Sequence, residues 1–197
     1  KQTQKIEQSL REKEKIAQEI LPRIAGDINK YPKEEAFEIF GKYEEELSRH
    51  PDINVYGYYN DSLIFWTSGR VLVPYLTFDE DFVHPVAKMK NGWYRFIKYT
   101  KDSLEMLALI HIKNEFSISN QYLNKDFNPD FKVKESGSLF TEQNTDAFSV
   151  NDDKGKFLFG IEYKKRDRNT IIYETSASIF YFLSVLFSLV FVYTLRG

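Results

Sequence analysis

Apolar positions recur every three or four residues near the start of the chain, at Ile6, Leu10, Ala17, Ile20 and Ile24, with Lys13 interrupting the series. That spacing predicts one long, charged helix over residues 1–28 with a single apolar stripe. The stripe suits a dimerising stalk and equally an amphipathic helix laid on a globular domain, because one stripe does not distinguish self-association from packing. Pro22 lies inside it, where a helix is prone to kink. After Tyr31-Pro32, residues 33–49 place Phe37, Phe40, Tyr43, Glu44 and Leu47 near one face, and the restriction on the residue before Pro51 ends this second helix at His50.

From Ile53 the chain turns tyrosine-rich and β-branched. INVYGYY and SLIFWTS, separated by the turn-prone pair Asn60-Asp61, predict two strands of a hairpin. Val71 to Thr77 is a third candidate, interrupted by Pro74 and so an edge or irregular strand. Past the acidic loop Asp79-Glu80-Asp81, an Asn91-Gly92 turn opens a strand with Trp93, Arg95, Ile97 and Tyr99 on one face and Tyr94, Phe96 and Lys98 on the other. Leu104 to Ile112 is apolar on both faces, which marks a central strand. Residues 117–127 read as a short helix with Ile118, Tyr122 and Leu123 toward the sheet. Phe148 and Val150 face Phe157, Phe159 and Ile161 across a second hairpin. The expected fold class is α+β, with helices packed on a curved antiparallel sheet of about five or six strands.

Residues 176–195, SASIFYFLSVLFSLVFVYTL, carry no charge. As a helix they would span about 30 Å, the thickness of a bilayer's hydrocarbon core, and Tyr173, Tyr181 and Tyr193 suit its interfaces. A buried core helix is the alternative, but such helices are seldom uncharged on every face. Lys164, Lys165, Arg166 and Arg168 precede the stretch and Arg196 follows it, which read naively puts the preceding part inside. A large folded domain crosses largely regardless of charge, so the expectation is that residues 1–175 lie outside the cytoplasmic membrane. Beginning at Lys1 and stopping just past Arg196, the chain is expected to have an upstream signal or span and a cytoplasmic continuation.

Composition narrows the chemistry. Lys+Arg 27 against Asp+Glu 29 gives a formal net charge of -2, which removes the electrostatic case for nucleic-acid binding. Without Cys there is no disulfide framework, thiolate or Cys-zinc site. His50, His84 and His111 are widely spaced, with no HExxH-like pairing for a metal. No Gly-x-Ser-x-Gly elbow or phosphate cradle supplies a starting residue for hydrolase or nucleotide chemistry, so no catalytic residue, metal or cofactor is expected. His111 reads as a satisfied structural histidine. Asp152-Asp153-Lys154-Gly155 lacks the ligand series of a calcium loop and reads as a turn, and the match of Asn60-Asp61-Ser62 to an N-glycosylation sequon carries little weight. Asn120 and Tyr122 read as a helix cap and packing pair.

The succession DSLIFWTSGR (61–70), KNGWYRF (90–96), LALIHI (107–112), FSISNQYLNKDF (116–127) and GKFLFGIEY (155–163), ahead of an apolar span, resembles extracytoplasmic sensor domains of bacterial membrane-bound two-component histidine kinases. The resemblance implies a PAS-like or Cache-like fold with long N-terminal helices and a curved antiparallel sheet, often dimeric. It divides the chain into helices at 1–50, a sensor core at 51–175, a transmembrane helix at 176–195 and the start of a cytoplasmic part at 196–197. It further implies a receptor in the bacterial cytoplasmic membrane, its sensor periplasmic, with phosphoacceptor and ATP-binding domains beyond Gly197. The partners it leads us to expect are an unknown small-molecule or protein signal and a second copy through the N-terminal helix. The alternative is a membrane-anchored envelope interaction or assembly domain without signalling output.

A curved sheet can expose a pocket lined by aromatics with a few polar groups. Trp66, Arg70, Trp93, Tyr94 and Arg95 are the candidate ligand contacts, since both tryptophans fall in the resembling motifs beside an Arg able to hold an anion. Against this, a strand Trp is usually core, and Arg95 can simply extend its stem along the sheet.

Overall fold

A computed structural model describes residues 2–30, 36, 38–71, 84–116, 123, 125–133, 137–143, 148–163 and 168–195. It divides into two compact units, residues 1–163 and residues 164–197.

In the first unit, α1 (Gln2–Ile28) runs unbroken for 27 residues. Its stripe is longer than the spacing alone predicts: Ile6, Leu10, Ala17, Ile20, Leu21, Ile24, Ala25 and Ile28 are all buried. Each of the larger of these side chains contributes about 1.5–3 kcal/mol relative to exposure. The stripe packs on this chain's own strands, so of the two readings of its periodicity the structure shows packing. A contact between copies through α1 would have to use its charged outer face. Lys13, which breaks the stripe, is itself buried and paired.

The second helix is shorter than predicted. α2 (Phe40–Ser48) starts without a side-chain cap at Ile39, and Ala36, Glu38 and Ile39 lead into it as 3-10 turn, the tighter winding common where a helix begins. Phe37 lies outside the described residues. Ile39, Tyr43 and Leu47 bury one face. Asp27 of α1 ties the helices together, accepting from Lys30 Nζ at 2.8 Å, from Tyr43 Oη at 2.7 Å and from Lys42.

Among the described residues eight strands form two antiparallel sheets rather than the single sheet of five or six that the sequence leads one to expect. The larger has the order β2-β1-β5-β4-β3, built from β1 (Ile53–Tyr59), β2 (Ser62–Trp66), β3 (Val86–Met89), β4 (Gly92–Lys101) and β5 (Leu104–Asn114). β5 is central, as its two apolar faces predict. Asn60 and Asp61 close the first hairpin with φ of 47° and 63°, the left-handed pair that matches strand twist. The turn before β4 is Lys90-Asn91. Gly92 belongs to the strand, where a Cβ would run into the Lys113 carbonyl.

The smaller sheet has the order β6-β8-β7, from β6 (Gly137–Phe140), β7 (Phe148–Asn151) and β8 (Phe157–Tyr163). Val150 faces Phe159 and Phe148 faces Ile161, as the alternation predicts. β8 is the central strand with β6 and β7 on its two edges, and among the described residues this sheet pairs with no strand of the larger one. α1 packs against β1, β4 and β5 of one sheet and β7 of the other. Asp152 Oδ1 accepts from the Lys154 and Lys156 amides, making the Asp152–Gly155 stretch a turn.

Of the predicted helix at 117–127, the described end instead bridges to the sheet, Phe127 pairing with Lys113; Ile118, Asn120 and Tyr122 lie outside the described residues. So do Pro74 and the acidic loop at 79–81. Val71 is buried and is not part of a strand.

The second unit is α3 (Arg168–Leu195), 28 residues and about 42 Å long. Phe180, Tyr181, Phe182, Phe187, Phe191 and Tyr193 are exposed on it. Among the described residues no helix is long and apolar enough to cross a membrane. The side chains at 168–175, 189, 190, 192, 194 and 195 lie outside those residues.

Candidate functional site

Alternation along three neighbouring strands builds an aromatic face on the side of the larger sheet away from α1. β1 contributes Tyr56 and Tyr58, β4 contributes Tyr94 and Phe96, and β5 contributes Leu107, Leu109 and His111. Register sets them side by side: Tyr56 opposite Leu107, Phe96 opposite Leu109, Tyr94 opposite His111. The Tyr94 and His111 rings lie 5.5 Å apart at 58°. Tyr56, Tyr58, Val71, Met89, Tyr94, Phe96, Leu107 and Leu109 form one buried cluster, separate from the core under α1.

The exit from β2 passes over this face. Tyr56 Oη donates to the Ser68 carbonyl at 2.9 Å and to that of Val71 at 3.2 Å. Asn91 Nδ2, from the turn before β4, donates to the Arg70 carbonyl at 2.8 Å. Burial raises the hydroxyl pKa of Tyr56, Tyr58 and Tyr94, and burial lowers that of the His111 imidazole. The face is therefore uncharged at neutral pH.

The five sequence candidates do not converge. Tyr94 is at the centre of the aromatic face. Trp66, opposite Tyr56 on the edge strand, shares that side of the sheet but is 41% exposed. Arg70 meets Asn91 only through its carbonyl, and its exposed side chain lines an open groove of about 350 Å³ beside α2. Trp93 and Arg95 point the other way, toward α1. Trp93 Nε1 donates to Glu115 Oε2 at 2.8 Å. Arg95 Nε donates to Glu14 Oε1 of α1 at 2.6 Å, and Arg95 Nη1 to the Phe96 carbonyl at 2.7 Å. Burial pushes the Glu115 carboxyl up, but the bonds from Lys88 and Trp93 outweigh it and hold it at about 2.

The sequence reads His111 as a satisfied structural histidine and Asn91 as a turn residue, and passes over the groups behind them. The His111 backbone connects the aromatic face to α1: its N–H donates to the Asp52 carbonyl at 2.8 Å, and its carbonyl accepts from Asn128 Nδ2 at 2.9 Å. Asn128 Nδ2 also donates to Asp52 Oδ2 at 2.9 Å. Asp52 Oδ2 in turn meets Lys13 Nζ of α1 at 2.7 Å, and Asp130 completes the pairing at 2.5 Å. Burial disfavours the charge on Lys13, yet its two carboxylates more than offset this and raise its pKa. The available signal was Lys13 itself, a charge at a stripe position.

Among the described residues no group of three or more His, Asp or Glu side chains converges to hold a metal. No protein-family model, curated protein or solved structure significantly matches this chain.

Proposed function

We propose that this chain is the signal-sensing region of a membrane-anchored receptor, a two-component sensor histidine kinase of the bacterial cytoplasmic membrane, with residues 1–163 on the periplasmic side. α3 is its proposed transmembrane anchor, a reading that rests on the sequence of residues 176–195 as a whole and not on the described residues alone. Residues 176–195 carry no charge, and a helix that exposes Phe180, Phe182, Phe187 and Phe191 to water would be an aggregation liability unless lipid or another apolar partner covers it. The long first helix on an antiparallel sheet agrees with the PAS/Cache-like arrangement that the sequence resembles.

The observation that carries the signalling part is the position of His111. Its ring belongs to the aromatic face, while its peptide group bonds Asp52 and Asn128, and Asp52 pairs with Lys13 of α1. A ligand bound differently by two arrangements of β5 would therefore bias α1 as well. The test is to read the native frame on both sides of residues 1–197. A helical linker, a phosphoacceptor His and an ATP-binding domain downstream are expected. A stop codon soon after Arg196 would overturn the kinase reading in favour of an anchored envelope-interaction domain.

A further inference from the structure

Lys13 lines an open groove of about 540 Å³ along one flank of α1. Lys5, Glu12 and Lys13 border it from α1, at positions that recur on one side of a helix, and His50, Asp130 and Lys132 border it from the chain opposite. The Lys13 side chain is only 8% exposed, and its two carboxylate partners are held very differently. Asp52 is 15% exposed and is also bonded by the Asn128 amide at 2.9 Å. Asp130, at 2.5 Å from Lys13 Nζ, is 61% exposed and has no other side-chain partner among the described residues. An ion pair whose carboxylate faces water is the weakly held one of the two. The backbone beneath Asp130 is fixed independently, because its amide donates to Asn128 Oδ1 at 3.1 Å and the adjacent Phe131 is fully buried. The carboxylate can therefore leave Lys13 by side-chain rotation alone, with the turn in place. Lys5 and Lys132 are exposed and have no carboxylate partner among the described residues. With Asp130 rotated out, the groove presents three ammonium groups, one of them shared with Asp52, against the single carboxylate of Glu12.

Resting on the sensor reading above, we propose that this groove is a ligand site for a small organic anion, whose carboxylate takes the place of Asp130 on Lys13 Nζ while Lys5 and Lys132 supply its remaining charge partners. Asp130 is then the chain's own competitor for the site. A cationic ligand would meet three ammonium groups, and a neutral one would displace the Asp130 carboxylate without replacing its charge. Exchange of Asp130 for the ligand also removes a tie between α1 and the turn at Pro129–Phe131, so binding acts directly on the residue that seats α1.

The probe pair is glutarate, with a carboxylate at each end, and glutaramide, the same chain without charge. Each is titrated at constant ionic strength into the full chain in phosphatidylcholine nanodiscs, with 15N-labelled lysine and the Lys13 ammonium resonance assigned from a Lys13→Met sample. Glutarate is expected to shift that resonance in a saturable manner, while glutaramide leaves it unmoved. Asp130→Asn, which removes the competitor, is expected to tighten glutarate at least threefold, and the Lys5→Gln/Lys132→Gln double variant to weaken it at least tenfold. All three positions are exposed, so these variants leave the buried core untouched. A response that does not saturate, an equal response to both probes, or an unchanged glutarate affinity in Asp130→Asn would overturn the proposal. None of these results bears on the receptor reading, which the reading frame decides separately.

Discussion

Lys13 of α1 and Asp52, one residue ahead of β1, meet at 2.7 Å in the interior, and Asp52 is also held by the Asn128 amide that bonds the His111 carbonyl. The apolar stripe holds α1 down through non-directional contacts. A buried cation with two carboxylate partners instead gives it a defined seat, because leaving it strands charges in a poorly solvated place.

Lys13→Met keeps the length of the side chain and removes this pairing. Asp130 is well exposed and Asp52 retains Asn128, so the loss is expected to be about 2 kcal/mol rather than the upper range for a broken buried pair. Urea denaturation measures it. The Lys13→Met/Asp52→Asn double variant should cost less than the sum of the singles by about 1 kcal/mol. Additive losses would mean that the two residues do not work as a unit.

His111→Phe removes an unmet acceptor and adds apolar surface beside Tyr94 but gives up the ring's bonds to the Asn114 side chain and the Lys113 backbone, so the net change should stay within about 1 kcal/mol of zero. Burial holds the wild-type imidazole below its ordinary value. The unfolded chain therefore binds a proton more readily than the fold, and stability falls as pH drops below about 6.5. Thermal melts at pH 7 and pH 5 should show a smaller loss for the variant than for the wild type.

The two tryptophans should part company. Trp93→Ala loses packing against the core under α1 and the bond to Glu115, and is expected to cost about 3 kcal/mol. Trp66→Ala, on an exposed edge position, should cost under about 1 kcal/mol. Chemical denaturation of both variants checks the ordering.

Acid should weaken the fold through Glu115. Its folded value of about 2 lies below the ordinary value of about 4.3, so its stabilisation is complete above the latter and is lost as pH falls toward 2. The Lys88 side chain is half exposed, so solvent screening keeps the contribution on the order of 2 kcal/mol. Glu115→Gln should lower stability at pH 7 and flatten its decline between about pH 4.5 and pH 2.

Much of this fold is legible in the residues. Leu104 to Ile112 announces a central strand because a strand covered on both faces has no polar alternation to show. The Phe148/Val150 and Phe159/Ile161 alternation likewise gives the second hairpin. What the sequence does not display is which strand edges pair, so the separation of β6, β7 and β8 into their own sheet is invisible to a two-residue period. β3 escapes notice because four residues, VAKM, are too short for a pattern. The candidate residues lie apart for a more instructive reason. Trp93, Tyr94 and Arg95 look like one cluster because they are consecutive, yet strand alternation sends Trp93 and Arg95 to α1 and Tyr94 to the opposite face. His111 belongs with Tyr94 only through a register that pairs residues seventeen positions apart.

The most direct test of the account is the membrane disposition of the chain. Its lack of cysteine allows single-cysteine labelling without removing any native thiol. Lys125→Cys and Lys154→Cys, both at exposed positions of the first unit, would be expressed separately, treated with a membrane-impermeant maleimide in spheroplasts, and the membranes then washed with carbonate. The account predicts labelling without lysis and retention of the chain in the carbonate pellet. Labelling only after permeabilisation, or release of the chain into the carbonate wash, would contradict it.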